Sequence, residues 1–269
     1  MAKVNTADLK LAKNDLIERG SKDPTPLGSA IFVGFRFLDP LWQYQLLAYG
    51  TGNALITRLG GTVIPPGIAV HTGISSIDSL GLSPHRLVLL GMGIGAMLKQ
   101  NHWQLFLSGE PMPVPAALMV GTFNIFLDTL STIFFLNRFT STAQAGETTL
   151  SAKVVVGGAL YVLGLALEWY SEIQRKAFKA NPKNEGKAYT GGLWSLARHI
   201  NYAGYALWRT GFAMASGGLA WGAVIAALNM SVFIGSSIPI LDEYCDKRYG
   251  EQWAAFKRQT PYKLFPYIL

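Results

Sequence analysis

The 269 residues include 23 basic and 16 acidic side chains, so only 14% are charged while 50% are apolar, and the formal net charge is +7. Soluble domains carry roughly 25% charged residues, so this composition indicates a protein whose solvent is the lipid bilayer. The basic residues flank apolar stretches, which argues against nucleic-acid binding. A single cysteine, Cys245, excludes an internal disulfide, and the four histidines show no metal-ligand spacing.

The apolar stretches predict an all-α integral membrane protein with about six transmembrane helices. A polar lead-in over residues 1–27 comes first, with a helix expected over residues 6–18. The expected spans are then approximately 27–49, 86–107, 115–136, 152–170, 202–216 and 221–237. The last two spans are expected to form a hairpin that turns at Gly217 and Gly218.

The chain is divided into an N-terminal part, residues 1–150, and a cofactor-binding C-terminal part, residues 151–269, within one membrane domain. Residues 50–84 are broken by glycine and proline, and are expected to form a luminal or a re-entrant segment. Arg36 and Asp39 lie inside the first span, where they should pair with each other or line a water-filled cavity. An even number of spans puts both basic termini in the cytosol, with the endoplasmic reticulum as the expected membrane.

Three groups of polar residues in the C-terminal part are candidates for a binding site. The first group leaves the fourth span on one helical face: Glu168, Glu172 and Arg175. The second lies at the mouth of the fifth span: Arg198, His199, Asn201 and Tyr202. The third lies in the tail: Asp242, Tyr249, Trp253, Lys257, Arg258 and Tyr262. Arginine and histidine suit a phosphate or carboxylate, so we expect the groups to meet in a cytosol-facing crevice above an apolar cavity.

Three motifs carry a resemblance to the membrane family allied to steroid 5-alpha-reductases. They are ExxxExQxxxF at 168–178, GLWxxxRHxNYxG at 192–204 and SxIPxLDExxxxRYGxxWxxFKxxTP at 236–261. The tail also resembles that of sterol C14 and C7 reductases, and the RHxNY element is similar to one in protein-isoprenylcysteine carboxyl methyltransferases. The resemblance implies a helical membrane enzyme whose C-terminal half binds NADPH, or S-adenosylmethionine in the methyltransferase branch.

Cofactor contacts implied by the resemblance are spread over all three motifs. They are Gln174, Trp194, Arg198, His199, Asn201, Tyr202, Asp242, Tyr249 and Arg258. Two positions depart from the family pattern, since Ile200 replaces a proline and Tyr205 replaces an acidic residue. In an alignment with the sterol reductases, an aspartate and an arginine of that family fall on Leu241 and Ser237, and their ion pair is lost.

The leading interpretation is an NADPH-dependent oxidoreductase that reduces a carbon–carbon double bond in a steroid-like or other lipid substrate. Glu168, Tyr170 and Tyr202 are then the nearest candidates for the catalytic proton donor. Methyl transfer from S-adenosylmethionine is the alternative, because the same crevice could position its reactants. A non-catalytic lipid-binding membrane protein is a third hypothesis, which the residues at 200 and 205 favour. The expected partners are the membrane and a lipid-like small molecule.

Overall fold

The structure is a computed structural model that describes residues 20, 21, 23–143 and 147–269. This part of the chain is helical, with an isolated bridge between Val63 and Asn137 as its β-structure. The helices are α1 (Pro26–Tyr49), α2 (Asn53–Arg58), α3 (Ser75–Asp78), α4 (Pro84–His102), α5 (Val114–Leu136), α6 (Ala152–Ala180), α7 (Ile200–Val232), α8 (Ile238–Tyr249) and α9 (Glu251–Gln259). The all-α class is confirmed for these residues. The helix expected over 6–18 lies outside them.

The helix ends follow from local sequence. Helix α1 has a proline in its first turn and ends at Gly50, whose φ of 65° is left-handed and whose N–H bonds to the carbonyl of Leu46. Helix α4 begins after Ser83, whose hydroxyl accepts a hydrogen bond from the N–H of Arg86. A single π-helical turn, Trp103–Leu107, extends α4. The end of α1 and the start of α4 are thus capped by residues that suit them.

Three helices in the described part of the chain are long and apolar enough to cross a membrane. They are α5, α6 and the continuous helical stretch Ile200–Tyr249. That stretch is broken at Gly218, whose backbone (φ 76°, ψ −168°) is not helical. Its two arms lie side by side, since the ring of Phe233 stacks on Tyr202 at 4.8 Å. The expected hairpin is therefore confirmed, and the chain is an integral membrane protein.

The expected count of six spans is not confirmed. Helices α1 and α4 lie where spans were expected, yet neither is among the three apolar helices. The physical reason is their polar content. Arg36, Asp39 and Gln43 interrupt α1, and the second half of α4 carries the polar run Lys99–His102. These side chains are turned into the protein, because all three in α1 and Lys99 in α4 are buried.

Close packing of α6 against the first arm of α7 sets the position of the polar residues on both helices. The two helices meet through glycines. A Cβ atom on Gly204 would lie 2.5 Å from the backbone nitrogen of Glu168, and one on Gly157 would lie 2.7 Å from the carbonyl oxygen of Gly211. Small residues of this kind let helix backbones approach closely in membranes. Glu168 is therefore held directly against the α7 backbone.

Residues 50–84 cover one end of the helix bundle. The N–H of Ile64 donates to the carbonyl of Leu136 at 2.9 Å, and the N–H of Arg138 donates to that of Thr62 at 2.7 Å. This is the end at which α1 and α5 stop and α4 begins. The segment therefore packs as a cap on these helix ends.

Candidate functional site

The chain tail folds back over the start of α7, at the opposite end of the bundle from this cap. The backbone N–H of Arg198 donates to the carbonyl of Tyr262 at 3.0 Å, and that of His199 donates to the carbonyl of Lys263 at 2.8 Å. The Arg198 guanidinium adds a bond from Nη1 to the carbonyl of Thr260 at 2.7 Å. The expected meeting of the RHxNY element with the tail is thus confirmed.

Five residues at this junction form what we call the C-terminal polar cluster: Arg198, His199, Asn201, Asp242 and Trp253. Each has a buried polar atom that finds no hydrogen-bond partner among the described residues: Arg198 Nε, both ring nitrogens of His199, Asn201 Oδ1, Asp242 Oδ1 and Trp253 Nε1. A buried polar atom without a partner costs about 1–3 kcal/mol, so such atoms are rare in proteins. Donors and acceptors are intermixed in the cluster, and two of these atoms, His199 Nε2 and Asp242 Oδ1, face each other at 3.3 Å.

His199 lies at the centre of the cluster and is fully buried. Its ring stacks on Tyr202 at 5.7 Å and meets Trp253 edge-on at 6.4 Å. Its Nε2 lies 3.3 Å from Asp242 Oδ1, so the ring faces a carboxylate. Burial lowers the pKa of His199, and the neighbouring carboxylate only partly opposes this. The imidazole is therefore neutral at pH 7 and offers one donor and one acceptor, not the positive charge that a phosphate would need.

A buried carboxylate borders the cluster on α6. Glu172 accepts a hydrogen bond from Asn201 Nδ2 at 2.9 Å, and its other oxygen pairs with Arg175 Nη2 at 2.6 Å. Only 3% of the Glu172 side chain is exposed, against 40% of the Arg175 side chain. Asn201 is therefore oriented by Glu172, which leaves its unpaired carbonyl oxygen available to a ligand.

Gln174 and Trp194 join α6 to the loop before α7. The backbone N–H of Leu193 donates to Gln174 Oε1 at 2.9 Å, and Trp194 Nε1 donates to the carbonyl of Ser171 at 2.9 Å. The guanidinium of Arg175 lies 5.4 Å from the centre of the Trp194 ring. In this arrangement Gln174 and Trp194 hold the loop before α7 in place, and this loop leads into the residues of the cluster.

Tyr249 and Arg258 lie outside the cluster. The Tyr249 hydroxyl accepts a hydrogen bond from Lys179 Nζ at 3.0 Å, and the cations of Lys179 and Arg248 lie 4.9 and 5.6 Å from its ring centre. Arg258 pairs with Glu251 at 2.6 Å, and both side chains are largely exposed. Tyr249 therefore marks a basic patch at the edge of the site, whereas Arg258 is in a surface ion pair.

The three catalytic candidates have different surroundings. Glu168 forms an ion pair with Lys99 Nζ and accepts a hydrogen bond from Trp208 Nε1 at 2.7 Å. Tyr202 lies between the rings of His199 and Phe233, next to the cluster. Tyr170 is 56% exposed on the opposite side of α6 from Glu168. Of the three, Tyr202 alone borders the C-terminal polar cluster.

A second polar group lies deeper, at bilayer depth, and we call it the buried charge cluster: Arg36, Asp39, Asp128 and Arg209. Arg36 Nη1 pairs with Asp39 Oδ2 at 2.6 Å and with Asp128 Oδ2 at 3.4 Å, which confirms the expected pairing in α1. Arg209 Nη1 pairs with Asp128 Oδ1 at 2.5 Å. Sequence reasoning missed Asp128 and Arg209. Each is an ionisable residue inside an apolar run, and that signal alone could have found them.

Comparison with known proteins gives the family. Residues 114–260 match a family described as a protein of unknown function (DUF1295). The chain is 43% identical over 249 residues to a protein of Ustilaginoidea virens named "Probable O-methyltransferase ustE", covering 91% of this chain and 88% of that protein. It is also 26% identical over 133 residues to Delta(14)-sterol reductase of Arabidopsis thaliana, covering 43% of this chain and 34% of that protein.

A further match is to 7-dehydrocholesterol reductase of Danio rerio, 29% identical over 86 residues, covering 32% of this chain and 18% of that protein. The family match extends over more than half of the chain and contains all three motifs except Pro261, the last residue of the third. The chain therefore belongs to the DUF1295 family of steroid 5-alpha-reductase-like membrane proteins. Its relatives are enzymes by name, and they include both reductases and a methyltransferase.

Proposed function

We propose that this protein is a membrane methyltransferase that binds S-adenosylmethionine at the C-terminal polar cluster and methylates an oxygen of a lipid-soluble acceptor. The observation that carries the proposal is the charge at the cluster. Asp242 is a carboxylate of the cluster beside the neutral His199, and Glu172 is a second carboxylate at its border that also pairs with Arg175. Arg198 is the cation of the cluster, and its Nη1 is turned to the tail carbonyls. S-adenosylmethionine brings a sulfonium and an ammonium group, so its positive charge complements these carboxylates, whereas NADPH brings several negative phosphates.

The cations that the motifs nominated for an anionic cofactor are engaged elsewhere. Arg198 Nη1 is bonded to two carbonyls of the tail, those of Thr260 and Pro261. Arg258 pairs with Glu251 at the surface. Arg198 Nε is the part of these two guanidinium groups that remains in the cluster, so the cluster offers a phosphate a single arginine N–H while it holds the carboxylate of Asp242.

The relatives support the same choice. The relative named as an O-methyltransferase matches 91% of the chain, including the N-terminal helices that would enclose an acceptor. The two sterol reductases match 43% and 32% of it. Agreement over the N-terminal helices matters because the acceptor, and not the cofactor, would distinguish the reactions in a shared fold.

The chain's own residues would act by positioning. The bound cofactor supplies an activated methyl group, and transfer then depends mainly on alignment with the acceptor. Asn201, His199 and Trp253 would contact its polar edges, and Asp242 its positive charge. Tyr202, beside the cluster, would border the acceptor oxygen. Glu168, already bonded to Lys99 and Trp208, would fix the helices around the acceptor.

A reductase is the second candidate, because one observation favours it. Lys179 and Arg248 both lie over the ring of Tyr249, and two neighbouring cations would suit a phosphate of NADPH. In either reaction we infer that the site faces the cytosol, where both cofactors are found, and that the membrane is that of the endoplasmic reticulum.

The experiment is a thermal-shift series on the detergent-purified protein with S-adenosylmethionine, NADPH and NADH. A ligand at 100 times its Kd stabilises the folded state by about 2.7 kcal/mol, which is readily measured. S-adenosylmethionine should raise the Tm, and Asp242→Asn should raise its Kd at least tenfold. Asp246→Asn, one turn further along α8 and paired with Lys257 at the surface, is the matched control and should bind as the parent does.

Stabilisation by NADPH in place of S-adenosylmethionine would replace the methyltransferase proposal with the reductase. Stabilisation by neither cofactor would favour the non-catalytic lipid-binding alternative. The two variants add a second condition. If Asp242→Asn and Asp246→Asn bind S-adenosylmethionine equally, the C-terminal polar cluster is not the cofactor site.

A further inference from the structure

Arg36 in the buried charge cluster has one edge of its guanidinium unused. The side chain is fully buried, and Nη1 serves both Asp39 and Asp128. Nε and Nη2, which form the other edge, find no hydrogen-bond partner among the residues the structure describes. Because a buried donor left unpaired costs about 1–3 kcal/mol, and more when charged, two such donors on one side chain point to a group that the protein itself does not supply.

Helix α4, next to α1, adds a buried acceptor without a hydrogen-bond partner to the interior layer that contains the buried charge cluster. Gln100 on α4 donates from Nε2 to Asn124 Oδ1 at 3.3 Å, and Asn124 in turn accepts from Arg209 of the buried charge cluster. The Oε1 atom of Gln100 is buried and has no partner in the described part of the chain. Pro40 also lacks an N–H, which frees the carbonyl of Arg36 one turn earlier. The layer therefore offers both donors and acceptors.

Helix α4 leaves room beside this layer. Gly93 is buried, and a Cβ atom built on it would meet no described atom within 4 Å. Helices α1 and α4 run antiparallel, since Arg86 bonds to the carbonyl of Leu47 near one end and Gln104 bonds to Ser29 at the other. Gly93 lies between these two contacts and so faces the middle of α1, where the buried charge cluster begins.

We propose that this interior site binds a pair of neighbouring oxygens on an apolar molecule through the Nε–Nη2 edge of Arg36. That edge has the geometry that holds two oxygens side by side, as in a carboxylate or in adjacent carbonyl and hydroxyl groups. Identifying the bound molecule as the acceptor rests on the proposed function. Gln100 accepts a hydrogen bond from it, and Gly93 leaves space for its body.

The position of the site restricts the shape of the acceptor. Arg209 of the buried charge cluster is seven residues from Tyr202 along α7, which corresponds to roughly 10 Å at 1.5 Å per residue. An acceptor that reached from the level of Arg209 to the level of Tyr202 would extend roughly 10 Å along α7. This describes an elongated molecule with oxygens at both ends, such as a fused-ring compound, and not a simple acyl chain.

The test uses three aromatic probes of similar size: anthracene-9-carboxylate, 1-hydroxyanthraquinone and the hydrocarbon 9-methylanthracene. Their binding to the full-length protein in detergent is followed by energy transfer from the tryptophans, in the absence of any cofactor. The first two probes carry an oxygen pair, charged in one and neutral in the other, and the third has none. At least one oxygenated probe should bind with a Kd at least tenfold below that of the hydrocarbon.

Two variants locate the binding. Gly93→Leu fills the open space without touching a charge and should raise the Kd of the oxygenated probe at least tenfold. Gly91→Leu, on the exposed side of α4 where a Cβ also meets no described atom, is the matched control and should leave it unchanged. Arg36→Lys keeps the positive charge for both aspartates but loses the forked edge, so it should abolish the preference for oxygen over hydrocarbon.

Equal binding of all three probes, or binding that Gly93→Leu does not change, would overturn the proposal and leave water as the partner of Arg36. This outcome is independent of the proposed function, because no methyl donor takes part in the measurement. Failure of S-adenosylmethionine to bind would conversely leave the oxygen site standing and remove only its identification as an acceptor site.

Discussion

Replacing Arg198 with alanine should release the C-terminal tail from the start of α7. Arg198 Nη1 donates to the carbonyls of Thr260 and Pro261 at 2.7 and 2.9 Å. A hydrogen bond to a charged group contributes about 1.5–3 kcal/mol, and carbonyls that become exposed recover part of this by bonding to water. A net loss of about 3 kcal/mol would raise the open fraction of the tail roughly a hundredfold.

Limited trypsinolysis measures this fraction, because Lys263 lies in the tail itself. Cleavage follows the population of the open form when opening and closing are fast, so its rate at this site should rise roughly a hundredfold in the variant. Lys183→Ala, at an exposed position in the loop between α6 and α7, is the control: it removes a trypsin site of its own, and cleavage after Lys263 should stay as fast as in the parent. In sealed microsomes, added trypsin should reach the tail without detergent if the tail is cytosolic.

The reasoning would be refuted by a variant whose tail is cut no faster than that of the parent. If such a variant also bound its cofactor more weakly, Arg198 would contact the cofactor directly, as the motif had suggested. The tail would then be held by the remaining backbone bonds and by the packing of Phe256 and Leu264, both of which are fully buried.

Two further predictions concern stability. Gly164→Ala should lower the free energy of unfolding by about 1–3 kcal/mol, because its Cβ would collide with the α7 backbone. The control Gly158→Ala places its Cβ in open space and should leave that free energy unchanged, and thermal unfolding in detergent compares the two variants. Burial holds the pKa of His199 below its unfolded value of 6.5, so the unfolded chain binds the proton more readily. Stability should therefore be complete above pH 6.5 and fall below it, and a Tm series against pH should show this loss reduced in His199→Gln.

The sequence determined the class of protein and predicted which segments of the chain meet at the candidate site. Too few charges for a soluble surface indicated a membrane protein, and the motifs at 192–204 and 236–261 indicated that the RHxNY element and the tail serve one site. The hairpin at Gly218 was also readable, because two glycines interrupt one long apolar run. Each of these conclusions depends on composition or local pattern, which can be evaluated without knowing which helices are in contact.

The partners of individual side chains were decided by the tertiary structure. Helical periodicity gives the direction of a side chain on its own helix, but not the helix or loop that covers it. Arg198 was expected to meet a cofactor phosphate, and only the structure shows that its Nη1 holds tail carbonyls that are 62 and 63 residues away. Arg258 was expected in the same site, but α9 turns it to the surface, where it pairs with Glu251.

The buried charge cluster also shows that the sequence gives partners on the same helix but not partners on other helices. Arg36 and Asp39 are one helical turn apart, so the sequence alone could pair them. Asp128 is 92 residues from Arg36 and 81 from Arg209, and only the packing of α1, α5 and α7 brings the three together. An unpaired charge is costly in a bilayer, so each ionisable residue of this cluster required a partner. The packing of the helices determined which partner each residue found, and it left one edge of Arg36 without a partner among the described residues.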